Sequence, residues 1–445
     1  MAADTVRIER LAAGGDGVGR LPDGLTVFVP RTAPGDVVRV GGVERRRRHG
    51  FATVEEVLEP GSGRVEPRCA HFDADACGGC QWQHLAADAQ LEAKGRMVGD
   101  ALRRIGKLDA DDPVVVPSPN AFGYRGTLTL AVRGRGGRRV VGLRRRGDAS
   151  VFQLDRCEIA REPLNRLWAA LRGSSGALPE GDDVRLVLRV TPDGSLHALA
   201  RGGERAWAGA PALLEAARRA GLEPTLWWQP ERGAPRRMAG PEADPATVAF
   251  EQANAEVAAL LRGAALASLA EGGWPARALD LYAGAGETGL AMAARGCDVV
   301  TVEVDARAVR WTQARAAELG LSLRAVAARV EDVVAGLLPA DAAVVNPPRT
   351  GLDAAAAAAL RAAPPPRLVY VSCDPATLAR DLARLGAATA RLSRIDAYDM
   401  FPQTCHVETL AVLDSPPVDA PSGAGYFGKL SNVTPIRRGN GASTV

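Results

Sequence analysis

The sequence predicts an α/β protein in three parts: an N-terminal OB-like β-barrel, a central α+β domain and a C-terminal doubly wound, Rossmann-like domain. Three observations carry this. From about residue 246, apolar runs (ALDLY, DVVTVE, AAVV, RLVYVS) end in turns and alternate with Ala-rich helical patterns, the texture of a parallel sheet wound with helices. Residues 1–60 hold short strands punctuated by Gly, as in a five-stranded barrel. Between them, residues 61–245 open on a cysteine cluster and continue as mixed helix and strand. The expected division is 1–60, 61–245, 246–415 and a flexible polar tail, 416–445.

The barrel strands are read at VRIERL, GGDGVG, LTVFVP, GDVVRV and FATVEEVLEP. Residues 86–106 read as a helix, and 123–155 return to β character. The last strand is HVETLAVLD. With 47% hydrophobic residues and a net charge of +3, the chain is globular and not a polycation. Basic side chains gather locally, at Arg45–Arg48 and at Arg125, Arg133, Arg135, Arg138, Arg139 and Arg144–Arg146, a pattern that fits contact with nucleic acid phosphates. No apolar run is long enough to span a membrane. The start MAADTVRIER lacks an apolar core, so a cytoplasmic protein is expected.

Seven cysteines are present. Cys69, Cys77 and Cys80 crowd together, with Cys157 downstream, which points to metal or catalysis rather than disulfides. Four thiols could hold zinc or an iron–sulfur cluster. In DLYAGAGETG, Gly284, Gly286 and Gly289 spell GxGxxG after a strand, and Glu303 follows Gly284 by 19 residues. That pattern fits a nicotinamide dinucleotide or S-adenosylmethionine, with Glu303 on the ribose hydroxyls and Asp280 ahead of the glycines. Asn346-Pro347-Pro348 resembles the signature of amino-group methyltransferases, but Arg349 follows where they carry an aromatic residue. Cys373 sits between a strand-like run and a helix whose apolar face is Leu378, Leu382 and Leu385, where the helix N-terminus is expected to lower a thiol's pKa. Glu408 lies in an apolar strand, a costly place unless the carboxylate is paired or used.

Together, DLYAGAGETGL, NPPRTGL, YVSCDPATLARDL and DMFPQTCHVETLAVL resemble the RNA 5-methyluridine (uracil-C5) methyltransferases, the 23S rRNA and tRNA enzymes among them. FEQAN, PRCAHFDADACGGCQWQH and residues 1–58 resemble that family's FxQxN segment, iron–sulfur region and TRAM barrel. The resemblance implies S-adenosylmethionine as methyl donor, Cys373 as the nucleophile adding to uracil C6, and Glu408 as the base removing the C5 proton. It implies cofactor-site or neighbouring roles for Gln252, Tyr282, Glu303 and Asn346. It further implies a [4Fe–4S] cluster on Cys69, Cys77, Cys80 and Cys157. The expected partner is RNA, 23S rRNA ahead of tRNA, bound by a monomer.

Three positions depart from the family pattern: Glu287 and Arg329 where Asn is common, and Asn346 where Asp is usual. Two other readings stand beside the first. One is an amino-group methyltransferase working through Asn346-Pro347-Pro348. The other is a non-catalytic RNA-binding ribosome-assembly factor with a vestigial cofactor fold.

Overall fold

The computed structural model describes residues 4–415 apart from 135–138, 149, 182, 204–206, 232, 245–251 and 387–390. Arg135, Arg138, Phe250, Glu251 and the 416–445 tail therefore lie outside the described residues.

Five strands, β1 (Asp4–Leu11), β2 (Gly17–Arg20), β3 (Thr26–Val29), β4 (Val37–Arg45) and β5 (Gly50–Glu59), close into a barrel in the order β1-β2-β3-β5-β4. Alternation sets the interior. Val6 and Ile8 of β1 point inward with Val38 and Val40 of β4, while Arg7, Glu9 and Arg39 point out.

The cysteine stretch that follows is a series of turns. It leads into helix α1 (Ala87–Arg104) and the short strand β6 (Val115–Val116). Both lie in the part assigned from sequence to the central domain, yet they pack with the C-terminal one. Val98, Leu102 and Val115 share a core with Leu279 and Leu378, and β6 pairs with Ala397 and Tyr398.

The central sheet comprises β7 (Thr127–Arg133), β8 (Val140–Arg144), β9 (Val151–Gln153), β10 (Arg185–Val190), β11 (Leu196–Arg201), β12 (Thr225–Gln229) and β13 (Arg236–Ala239). Its order is β13-β12-β11-β10-β7-β8-β9. One face, with Leu128, Leu130, Leu186 and Leu188, packs on helices α2 (Glu162–Leu171) and α3 (Ala210–Arg219). Cys77, Cys80 and Cys157 join that core, with Cys69 against it.

The C-terminal domain runs α4 (Ala255–Ala270), β14 (Arg277–Leu281), α5 (Glu287–Ala293), β15 (Asp298–Glu303), α6 (Ala306–Glu318), β16 (Arg324–Ala327), α7 (Val330–Leu337), β17 (Ala342–Val345), α8 (Ala354–Ala362), β18 (Arg367–Ser372), α9 (Pro375–Leu385), β19 (Arg391–Tyr398) and β20 (Glu408–Asp414). The sheet order is β16-β15-β14-β17-β18-β20-β19-β6. From β16 to β18 the strands are parallel, and the inner ones, such as β17, are continuous in apolar residues, as burial on both faces demands. The chain steps outward from β14 to β15 and β16, then returns to β17 on the other side. This reversal opens a crevice at the strands' carboxyl ends, where such sheets bind ligands. Strand β20 runs antiparallel between β18 and β19, and its second residue, Thr409, pairs with the last of β18, Ser372.

No helix among the described residues is long and apolar enough to cross a membrane.

Candidate active site

Cys373 occupies the turn from β18 into α9. Asp374 caps that helix by accepting from the Thr377 amide, Pro375 fills the first turn, and Leu378, Leu382 and Leu385 are buried as their spacing predicts. The expectation of a lowered thiol pKa is not met. Burial first, then the charge of Glu408, push the Cys373 thiol up, against the pull of the Arg349 guanidinium and a backbone hydrogen bond.

Glu408 opens β20 and is almost fully buried. Burial pushes its carboxyl up to about 7, against the pull of Arg349. Arg349 thus acts on both groups, and it makes no ion pair among the described residues. The sequence shows this arginine only as a missing aromatic; its position after Pro-Pro at a strand end is the signal that it serves the site. Its loop is braced by Asp381, a fully buried carboxylate accepting from the Leu352 amide (2.7 Å), the Tyr370 hydroxyl (2.7 Å), Arg380 and Arg384. The Thr377 hydroxyl holds the Arg349 carbonyl at 3.1 Å.

The segment before Glu408 is pinned from the other end of the chain. Gln403 exchanges hydrogen bonds with Gln90 of α1 (2.9 and 3.1 Å), and its carbonyl accepts from the Gln81 and Trp82 amides. Buried Lys94 of α1 pairs with Asp399 and donates to the Phe401 carbonyl at 3.1 Å. Tyr124 donates to the Pro402 carbonyl at 3.0 Å.

The candidate cofactor residues stand at the carboxyl ends of β14, β15 and β17. Asp280 is buried beneath the glycine turn and accepts from the Gly289 amide at 2.8 Å; burial pushes its carboxyl up to about 7. Glu303 accepts from the Gly284 amide (3.0 Å) and the Asp305 amide (2.9 Å), which fixes the carboxylate at the lip of the turn. Tyr282 is half-buried at a left-handed φ of 60°, a rare conformation for a non-glycine residue. Gly286 has φ 68°, and a Cβ there would sit 2.5 Å from Thr312 Cγ2. Asn346 is exposed just past β17, its amide donating to the Leu281 carbonyl at 3.1 Å. Val304, directly after Glu303, is 68% exposed and was not singled out from sequence. Two of the departures have local partners: Glu287 pairs with Arg262, and Arg329 with Glu331.

Gln252 lies apart from this crevice, on the wall of a cavity of about 450 Å³ that it shares with Arg349, Phe401 and all four clustered cysteines. The other wall is the helix-free face of the central sheet, with Thr127, Thr129, Arg189 and Arg201. Arg125 and Arg156 also line the cavity, against a single acid, Glu158. Burial and the neighbouring charges of Arg185, Arg189 and Arg307 hold the Arg201 pKa down. This concentration of positive charge was invisible in sequence because its members are scattered over several elements. The dense 125–146 patch is, conversely, partly spent inside the protein. Arg139 donates to the Ser175 and Leu178 carbonyls, Arg145 pairs with Asp75 and Arg146 with Asp16.

Cys69, Cys77, Cys80 and Cys157 are free thiols on one cavity wall. Burial pushes Cys77 up to about 11 and Cys80 up to about 12, and the other clustered thiols add to both shifts. Four thiols crowded on one wall are the donor chemistry of a cation that takes thiolates. Among the described residues no three His, Cys, Asp or Glu side chains are arranged as a metal site. The donor set fits, and the closed ligand geometry is not formed.

Comparison with known proteins agrees with this layout. The tRNA (Uracil-5-)-methyltransferase family pattern matches residues 321–415, and the TRAM domain pattern matches residues 5–54. An uncharacterized RNA methyltransferase of Thermosynechococcus vestitus, tlr0942, is 35% identical over 92% of this chain and 97% of its own. The 23S rRNA (uracil(1939)-C(5))-methyltransferase RlmD of Chromohalobacter salexigens is 35% identical over 92% of this chain and 89% of its own. The tRNA (uracil-54, C5)-methyltransferase of Pyrococcus abyssi, solved with S-adenosyl-L-homocysteine, superposes with a TM-score of 0.71 at 25% identity, covering 91% of this chain and 99% of that one. With its barrel, its switch-point crevice and relatives matched almost end to end, the chain belongs to the RNA uracil-C5 methyltransferase family and is an S-adenosylmethionine-dependent enzyme of that kind.

Proposed function

We propose that the protein forms 5-methyluridine in 23S rRNA through a covalent adduct with Cys373. The observation that carries the mechanism is the antiparallel insertion of β20, which sets Glu408 beside Cys373 with Arg349 acting on both. Repulsion between the two anions favours one shared proton. Cys373 adds to uracil C6 as the thiolate, which moves electron density to C5. C5 displaces the methyl group from the sulfonium, releasing S-adenosylhomocysteine. The sulfur is now a neutral thioether, so nothing from Cys373 opposes ionisation of Glu408; its proton leaves to solvent, the one proton the overall reaction releases, and Arg349 favours the carboxylate that remains. The Glu408 carboxylate takes the C5 proton; the C–H electrons form the C5–C6 double bond and expel the thiolate.

Tyr282, Glu303 and Asn346 would hold the methyl donor at the switch point, Glu303 toward the ribose and exposed Val304 as an apolar face for adenine. Gln252 would border the target base at the cavity. The uridine must leave its stack to reach the thiol, and the basic cavity would hold the displaced strand.

Cys69, Cys77, Cys80 and Cys157 would hold a [4Fe–4S] cluster that ties the turns after the barrel to the central sheet. Methyl transfer from a sulfonium balances without an electron from it. Iron and sulfide analysis of anaerobically purified protein, with absorbance near about 400 nm, tests this; zinc alone would refute it.

The reading of 23S rRNA rests on the RlmD relatives. Nucleoside mass spectrometry on separated rRNA and tRNA, from cells with and without the gene, tests it. Loss of 5-methyluridine from rRNA, restored by wild type and not by Cys373→Ala, is the expected result. Loss from tRNA alone would overturn the substrate, and an N-methylated product would overturn the mechanism.

A further inference from the structure

Between Asp399 and Glu408 the chain makes a tight turn before it enters β20. The Phe401 carbonyl accepts from the Thr404 amide (3.2 Å) and hydroxyl (2.7 Å), and that hydroxyl accepts from the His406 amide (3.3 Å). Gln403, inside the turn, has a left-handed φ of 69°. A residue with a side chain keeps such a backbone only where its surroundings impose it. Trp82 is the centre of that restraint. Its amide donates to the Gln403 carbonyl at 3.0 Å. Its ring centroid lies 5.9 Å from the Lys94 ammonium, which pairs with Asp399 and donates to the Phe401 carbonyl. The same fully buried ring shares a small core with Cys405. Trp82 thus backs the turn at its start, middle and end.

Trp82 is fixed in turn by the barrel. Its indole N–H donates to the Gly15 carbonyl at 2.9 Å, and Leu11 and Ala33 pack in the same small core. Gly15 lies in the β1–β2 turn, buried, at a φ of 90°. A Cβ there would sit 3.1 Å from Cys405 Cβ, 3.2 Å from Trp82 Nε1 and 3.3 Å from Gln81 Cβ. The barrel's backbone therefore lies directly against the segment that carries Glu408. Asp16, next in the turn, pairs with Arg146 and fastens it to the loop after β8.

We propose that Gly15 and Trp82 are positioning residues for one step of the reaction: the docked β1–β2 turn holds residues 399–407 in the conformation that aims Glu408 at the C5 proton. The proposal rests on the reading of Glu408 as the base. Cys373 is held by β18 and α9, and none of the contacts of Gly15 and Trp82 named above involves those elements. Addition and methyl transfer therefore depend on the C-terminal sheet and its crevice, and elimination depends on the barrel as well. A small displacement of a reacting group is costly in rate, so loosening this contact should slow proton removal ahead of the earlier steps.

The test uses the full-length protein, total RNA from cells lacking the gene, labelled with tritium at uracil C5, and S-adenosylmethionine labelled with radiocarbon in the methyl group. Methyl incorporation and tritium release are followed together in a single turnover. In the wild type the two should run in step. In Gly15→Ala, which sets a methyl group against Cys405 and Trp82, tritium release should slow about tenfold while methyl incorporation holds, and a protein–RNA adduct should accumulate. Trp82→Phe, which removes the indole donor and keeps a ring in the core, should show the same lag and carries the test if Gly15→Ala does not fold. S-adenosylmethionine affinity and the absorbance spectrum should match the wild type in both. Gly14→Ala, in the same turn with nothing within 4 Å of the added carbon, should behave as wild type. Equal slowing of both labels, or no slowing, in a folded Gly15 or Trp82 variant would overturn the positioning role alone. Tritium release by Glu408→Gln at the wild-type rate would overturn the reading of the base, and the proposal with it.

Discussion

Thr409 lies opposite Ser372 in the β18–β20 ladder, and its hydroxyl donates to the Ser372 carbonyl at 3.0 Å. Each is the immediate neighbour of a proposed reacting group, Glu408 before one and Cys373 after the other. The sheet's hydrogen bonds therefore set the spacing of the proposed nucleophile and base.

Glu408→Gln leaves addition and methyl transfer possible but removes the proton acceptor that triggers elimination. The expected outcome is a protein–RNA adduct that survives denaturing electrophoresis, appears only with S-adenosylmethionine and is absent in Cys373→Ala. Full turnover by Glu408→Gln would show that another group takes the proton.

Glu408 must be ionised to accept the C5 proton, and its carboxyl is pushed up to about 7. Single-turnover rates should therefore rise with pH through about 7 and be lost as the carboxyl protonates below it. Arg349 lowers the pKa of both Glu408 and Cys373. Arg349→Gln should move the rising limb to higher pH. An unmoved limb in that variant would show that the guanidinium does not govern either proton.

Lys94 is fully buried and paired with Asp399. Lys94→Met strands an uncompensated carboxylate and should cost about 3–5 kcal/mol in urea unfolding. Because burial already raises the Asp399 pKa, that carboxyl can protonate, and the loss should shrink at low pH. Lys94→Met with Asp399→Leu should recover most of the stability.

Gly286→Ala places a methyl group against Thr312 at a left-handed φ. S-adenosylmethionine affinity, read by calorimetry, should fall at least about tenfold, the equivalent of about 1.4 kcal/mol. Unchanged affinity would show that the turn relaxes without cost.

The strands and helices around the crevice were legible because each is written locally, as an apolar run followed by a capped helix. Asp374, Pro375 and Gly386 spell both ends of α9 within the helix's own sequence. What failed was non-local. The Cys373 pKa depends on Glu408, 35 residues on and beside it only in the folded sheet. The cavity's positive charge was missed for the same reason, since Arg125, Arg189, Arg201 and Arg349 converge only in three dimensions. Charge density along the chain overstated the 125–146 stretch, because local counting cannot see Asp16 or Asp75 waiting as partners.

The pairing of β6 with β19 has a consequence for how the protein is made. Chain from before the central sheet supplies one border of the C-terminal sheet, and α1 covers part of α9. The catalytic unit is thus a split domain interrupted by a long insert. During synthesis its early piece emerges first, held on one side by Leu11, Trp82 and Leu85 against Met97 of α1, while its contacts with the later strands must wait for the insert. A fragment begun at residue 246 would leave β19 as a bare edge and the apolar side of α9 wet. A minimal fragment should therefore carry α1 and β6 along with the C-terminal sheet.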